Sequence, residues 1–209
     1  MFENIKTDLF LLVAKAFVIF TALPVHGFAS AWVACKCGDD TPKQYGKLTL
    51  NPFVHLDLMG CICMVLVGFG WGKPVEVNSR NFKNPKLGKI LFSLASPVSS
   101  LLLALIWIII GRILSIFTQS LAVHFIVDYS ALLNIGLAVF MLTFMVLSKL
   151  VVMIVKNLSP QTQYKFFSNP YMFYMILLLI VWVTPFSGVI SAVASGVYSF
   201  FHSIVYFIG

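Results

Sequence analysis

The chain has 209 residues, of which 60% are hydrophobic and only 10% charged, and it carries a formal net charge of +7. This balance excludes an ordinary soluble domain and predicts an all-α polytopic membrane protein with about four to six membrane segments. The basic residues flank apolar runs and show no aromatic stacking pattern, so the predicted partner is the lipid bilayer and no nucleic-acid partner is expected.

Apolar runs that can cross the bilayer recur along the chain, since a spanning helix needs about 20 apolar residues. The sequence predicts spans at 9–35, 89–111, 131–155 and 171–190, and leaves open whether 191–208 also crosses. The first run is longer than the apolar core of a cleaved signal peptide, so we expect it to remain in the mature protein. Residues 1–209 are expected to form one integral membrane domain.

Basic residues cluster in the connectors 36–49 and 73–89 and around 149–165, whereas 118–130 has no Lys or Arg. The positive-inside rule places the basic connectors on the cytoplasmic face of the cell (inner) membrane. A full span at 53–71 would separate the first two connectors, so this apolar segment is predicted to be re-entrant.

Two polar stretches lie within or beside the apolar runs, and ionisable groups at membrane depth are by default functional-site hypotheses. LPVHGFASAW contains His26, and NPFVHLDLMG contains Asn51, His55 and Asp57. In an extended segment His55 and Asp57 share one face, which predicts an imidazole–carboxylate pair in a polar pocket. The pair is either structural, which we prefer, or catalytic; in a small transport component it would relay protons.

The four cysteines form two C-x-C pairs, Cys35 with Cys37 and Cys61 with Cys63. Thiolates bind zinc, so a four-thiolate metal site is one hypothesis. Packing as small apolar residues is preferred, because C-x-C is a weaker spacing signal than C-x-x-C. A set of His26, His55 and Asp57 is a further candidate for three metal ligands.

Two runs carry a resemblance to a known family. They are GDDTPKQYGKLTLNPFVHLDLMG (38–60) and FGWGKPVEVNSRNFKNPKLGKILFSLASP (69–97). They resemble the site-2 protease family, intramembrane zinc metalloproteases, in its compact bacterial form. The resemblance is strong over 24–103 and weaker over 134–183.

The resemblance implies a zinc site built from H-E-x-x-H and a later aspartate, in which the glutamate polarises the metal-bound water. His26 takes the first histidine, but Gly27 stands at the glutamate, Ser30 at the second histidine and Lys149 at the aspartate. In the family's A-G-P-x-x-N turn, the glycine and asparagine are replaced by the residues Ser96 and Ser100.

These losses imply a catalytically inactive relative that uses no cofactor and binds or regulates other membrane proteins, for instance through their transmembrane helices. Two alternatives stay open. One is an active intramembrane metalloendopeptidase that holds zinc in a divergent site, and the other is the transport component that uses His55 and Asp57.

Overall fold

A computed structural model describes residues 2–67, 72–168 and 186–207, and throughout these ranges the chain is all-α. Four of the described helices are long and apolar enough to cross a membrane, namely α1, α5, α6 and α8, which confirms the prediction of an all-α polytopic membrane protein. In chain order the described helices are α1 (Phe2–Cys37), α2 (Thr41–Gln44), α3 (Pro52–His55), α4 (Leu58–Val67), α5 (Pro85–Phe117), α6 (Leu121–Val155), α7 (Pro160–Ser168) and α8 (Phe186–Phe207).

An Asn-Pro pair starts both α3 and α5. The side chain of Asn84 accepts a hydrogen bond from the backbone N–H of Leu87 at 3.1 Å, and that of Asn51 accepts one from Phe53 at 3.1 Å. The proline that follows has no N–H to leave unpaired and has a φ suited to a first helical turn. The Asn-Pro pair therefore determines where each of these polar connectors ends and the helix begins.

Helix α6 lies at the centre of the bundle and packs against the other three long helices. Leu137 contacts a buried apolar ridge of α1, and Ile135 packs with Ala104 of α5 and Ala194 of α8. Gly111 allows α5 to approach α6, because a Cβ there would lie 3.0 Å from Val127. The ridge of α1 consists of Val18, Ile19, Ala22 and Leu23.

The side-chain contacts fix the helix directions. Helices α1 and α6 run one way, and α5 and α8 run the other way. The connector 38–84 and the residues that follow α6 therefore lie at one end of the helices, and the connector 118–120 lies at the other end. The distribution of Lys and Arg predicts the same grouping, with the basic connectors at one end and the connector without Lys or Arg at the other. The defining contacts are Ser30–Ser96 and His26–Ser100 for α1 and α5, Gly111–Val127 and Ala104–Ile135 for α5 and α6, and Ala194–Ile135 and Ile190–Phe140 for α8 and α6.

Two predicted boundaries are wrong. The connector expected at 118–130 is only 118–120, because apolar residues already begin α6 at Leu121. The boundary expected between 190 and 191 falls inside α8, whose small residues continue the helix, and Gly188–Phe207 is long enough to span. Most of the predicted span 171–190 lies outside the described residues.

Candidate functional site

The site aligned with the zinc motif lies on the last third of α1. His26 and Ser30 are one helical turn apart and face α5, and their side chains are 4% and 6% exposed. Gly27 faces α3 instead. The motif remnants are therefore inside the protein, where every polar atom needs a partner.

Hydroxyl groups of α5 contact both α1 residues, His26 and Ser30, that stand at the histidine positions of the zinc motif. The Nε2 atom of His26 lies 2.5 Å from the hydroxyl oxygen of Ser100, which is fully buried. The hydroxyl oxygens of Ser30 and Ser96 are 2.8 Å apart, and Ser96 also donates to the backbone carbonyl of His26 at 3.3 Å. Ser30 and Ser96, which both depart from the family pattern, thus contact each other, and Ser100, which also departs from it, contacts the retained His26.

The imidazole of His55 lies directly against Gly27. A Cβ atom added to Gly27 would lie 2.0 Å from Nδ1 of His55, which no real packing allows. The ring is 1% exposed, and its Nε2 atom lies 2.8 Å from the carbonyl oxygen of Thr49. Because a carbonyl only accepts, Nε2 carries the proton and donates. His55 therefore fills the space into which the side chain of a glutamate at position 27 would project.

The remaining residues of the predicted polar pocket have local partners. Asp57 accepts a hydrogen bond from the backbone N–H of Gly60 at 2.8 Å at the start of α4, and Asn51 caps α3. His55 bonds to Thr49 rather than to Asp57. The structure thus replaces the predicted imidazole–carboxylate pair with separate hydrogen bonds to the backbone.

The position aligned with the third zinc ligand is not beside His26. Lys149 is exposed on α6, twelve residues after Leu137, which corresponds to about 18 Å along the helix. Leu137 packs against Leu23, less than one turn before His26. Even an aspartate at position 149 would have to reach back along α6 to approach the imidazole.

The cysteines that the structure describes are free thiols, and Cys35, Cys37 and Cys61 are all partly buried. Cys61 packs against the apolar ridge of α1. The side chain of Cys63 lies outside the described residues, so the four-thiolate hypothesis stays a prediction. Cys61 has the environment of a small apolar residue.

Two buried nitrogen atoms are the candidate metal ligands at this site. Nδ1 of His26 and Nδ1 of His55 have no hydrogen-bond partner. Zinc requires three protein ligands in a catalytic site and four in a structural one. Among the described residues, however, no group of three or more His, Cys, Asp and Glu side chains is placed to hold a metal ion. The donors present here do not fit zinc.

A buried carboxylate joins the two basic connectors, and nothing in the sequence beyond the letters GDD indicates it. Asp39 is fully buried, and it accepts hydrogen bonds from the hydroxyl of Thr41 at 2.5 Å, the amide of Asn81 at 2.9 Å and the backbone N–H of Asn78 at 2.7 Å. Burial raises the pKa of Asp39, but these bonds together outweigh it and hold the pKa below its ordinary value. We call these four residues the Asp39 cluster.

Backbone pairing holds the chain on both sides of α4. Leu56 and Gly72 form an antiparallel bridge, and the N–H of Lys73 donates to the carbonyl of His55 at 2.7 Å. The ammonium of Lys47 donates to the carbonyl of Val54 at 3.0 Å. These bonds fix the backbone that presents His55 to Gly27.

The fold and these connectors define a multi-pass membrane protein. Over 95 residues the chain is 52% identical to a protein of Bacillus subtilis (strain 168) named "Putative zinc metalloprotease YwhC". The shared stretch covers 46% of this chain and 42% of that relative, so the chain spans less than half of the relative's length. No family model and no solved structure matches the chain. Over this stretch the chain is therefore similar to a protein that is named as a putative zinc metalloprotease.

Proposed function

We propose that this chain is a membrane protein of the site-2 protease type that does not hydrolyse peptide bonds and instead binds or regulates other membrane proteins. One observation carries the proposal. The ring of His55 lies where a general base at position 27 would have to project, and the backbone of Gly27 admits no side chain beside it. A hydrolase of this type needs both a metal ligand set and a carboxylate base.

The rest of the site supports the same conclusion. Ser100 engages Nε2 of His26, and Ser30 bonds to Ser96, so the two α1 positions are used to hold α1 against α5. A buried hydrogen-bonded set of this kind stabilises one arrangement of the two helices. The fold can therefore keep a surface for membrane-embedded partners after losing the chemistry.

We expect the full chain, purified in mild detergent without chelator, to contain less than about 0.1 zinc ion per chain, because a single imidazole binds zinc too weakly to retain it. The measurement is elemental analysis after gel filtration, and His26→Ala should give the same value as the unchanged protein. The matched control is His124→Ala, since Nε2 of His124 lies 3.0 Å from a backbone carbonyl at the far end of the bundle.

The alternative, an active zinc-dependent endopeptidase, makes the opposite prediction. Its support is the name of the Bacillus subtilis relative. About one zinc ion per chain that is lost in His26→Ala and retained in His124→Ala would establish that alternative and contradict our proposal.

We also propose that the segment 53–71 enters the membrane and returns to the same face, which we infer is cytoplasmic. The bridge between Leu56 and Gly72 brings the two ends of the segment together. Helix α4 has 10 residues, about half of what a span requires. The Asp39 cluster joins the connectors on either side of the segment.

Cysteines placed at Lys43 and Arg80, in a background without native thiols, are expected to react with a membrane-impermeant maleimide from one and the same face. Both residues are exposed and lie in the joined connectors. A cysteine at Gln119, in the connector at the other end of the helices, should react only from the opposite face. Labelling of positions 43 and 80 from different faces would show that 53–71 crosses the membrane.

A further inference from the structure

A cavity of about 230 Å³ opens between α1, α6 and α8, away from the His26 site. Lys15 and Tyr129 lie toward its end nearer the connector 118–120, and Leu137 and Ile190 lie toward its other end. The cavity therefore has its cation at one end, and the other end is mainly apolar, with the hydroxyl of Ser191 beside Ile190. Lys15 and His26 are eleven residues apart, about 16 Å along α1, so the two sites are separate.

Lys15 is the unusual member of the lining. It is a partly buried cation within the span of α1 that begins at Leu11. Ionisable side chains inside a membrane segment are costly and mark functional sites by default. Among the described lining residues none is acidic, so the protein supplies no counter-charge to Lys15 within this cavity. An anion from outside the chain would supply it.

Gly136 keeps the cavity open on the side of α6. A Cβ atom added there would meet no other atom within 4 Å, in contrast to Gly27, where the same atom would collide with His55. Gly136 is one of the lining residues. A longer side chain at this position would consequently enter the cavity without displacing the packed core.

We propose that this cavity binds an amphiphile with a single anionic head and an acyl chain. The ammonium of Lys15 and the hydroxyl of Tyr129 donate to the head, and Leu132, Leu133 and Leu137 contact the chain. The volume is several times that of a water molecule and somewhat below that of drug-sized sites. It therefore accommodates the head and the first part of the acyl chain, and the remainder lies in the surrounding lipid.

The test is equilibrium binding of radiolabelled laurate to the full chain in a non-ionic detergent, with competition by three other twelve-carbon compounds. Dodecyl phosphate should displace laurate, whereas uncharged dodecanol and dodecyltrimethylammonium should need at least about tenfold higher concentrations. Tighter binding of laurate would support a free fatty acid as the source of the anionic head, and tighter binding of dodecyl phosphate would support a phospholipid.

Three variants connect that binding to the cavity. Lys15→Gln should weaken laurate binding at least about tenfold, Lys15→Arg should keep it within about threefold, and Gly136→Leu should abolish it. The matched controls Lys156→Gln and Gly196→Leu should change it less than twofold, because Lys156 is exposed and Gly196 also has open space around it but lines no part of the cavity.

Several results would overturn the proposal. They are the absence of saturable laurate binding, equal competition by dodecanol, and equal binding by Gly136→Leu and the unchanged protein. Displacement of laurate by a synthetic apolar helix that bears one central glutamate, with no effect of the same helix bearing glutamine, would assign the cavity to a partner's membrane helix instead.

Discussion

Replacing Gly27 with alanine is expected to destabilise the protein by about 2 kcal/mol, which corresponds to a fall in Tm of about 4–8 °C for a chain of this size. The added Cβ would lie 2.0 Å from Nδ1 of His55, so the imidazole must move and strain its bond to Thr49. Overpacking of this kind costs about 1–3 kcal/mol, and the better helix propensity of alanine offsets only part of it. The measurement is thermal unfolding in detergent.

The matched control is Gly136→Ala, which makes the same chemical change in a membrane helix where the new Cβ meets nothing within 4 Å. We expect it to leave Tm unchanged or raise it slightly. The double variant Gly27→Ala with His55→Ala should show a coupling energy of about 1–3 kcal/mol, because removal of the ring removes the collision. If Gly27→Ala behaves like Gly136→Ala, the ring of His55 does not fill this space.

The membrane architecture could be predicted from the sequence because its causes are local. About 20 apolar residues suffice for a span whatever their order, and an Asn-Pro pair caps a helix with its own side chain. Errors arose at boundaries where a tertiary contact decides. Asp128 belongs to a connector by composition, yet it lies within α6, where it interacts with Tyr198, seventy residues later.

The candidate site was predicted only in part, for a similar reason. The motif remnants His26, Gly27 and Ser30 are visible in the sequence because their spacing is fixed by the helix. Their partners are not, since Ser100 lies 74 residues from His26 and Thr49 follows α2 in an irregular connector. The signal that the sequence does contain is the resemblance, which marks Ser96 and Ser100 as altered positions. The structure shows that both of these residues contact α1.

The pairing of altered positions bears on what the protein does. A site that had only lost its ligands would leave unfilled polar space between α1 and α5. Here the hydroxyl of Ser96 bonds to Ser30, and His55 is packed against Gly27. The interface between α1 and α5 is therefore hydrogen-bonded, and the proposed loss of hydrolysis rests on this arrangement and on the packing of His55.

The Asp39 cluster gives the second large expected effect. Asp39→Asn is expected to lower the free energy of unfolding at pH 7 by about 2–3 kcal/mol, because an amide cannot accept all the bonds that the carboxylate accepts from Thr41, Asn78 and Asn81. The matched control is Asp40→Asn, the same change at the exposed neighbouring residue, which should shift stability by less than about 0.5 kcal/mol.

The pH dependence distinguishes loss of a charge from loss of shape. The pKa of Asp39 is lower in the folded protein than its ordinary value of about 3.9, so its contribution is complete above that value and is lost as the pH falls through the folded pKa. The difference in Tm between the unchanged protein and Asp39→Asn should therefore be constant from pH 5 to pH 8, by this linkage argument, and should shrink below about pH 4. A difference that persists unchanged in acid would show that the carboxylate of Asp39 acts only by its shape. Cleavage by added protease within 73–84 should increase in Asp39→Asn and not in Asp40→Asn, because the cluster holds this connector to the end of α1 together with the bond from the N–H of Lys83 to the carbonyl of Cys37.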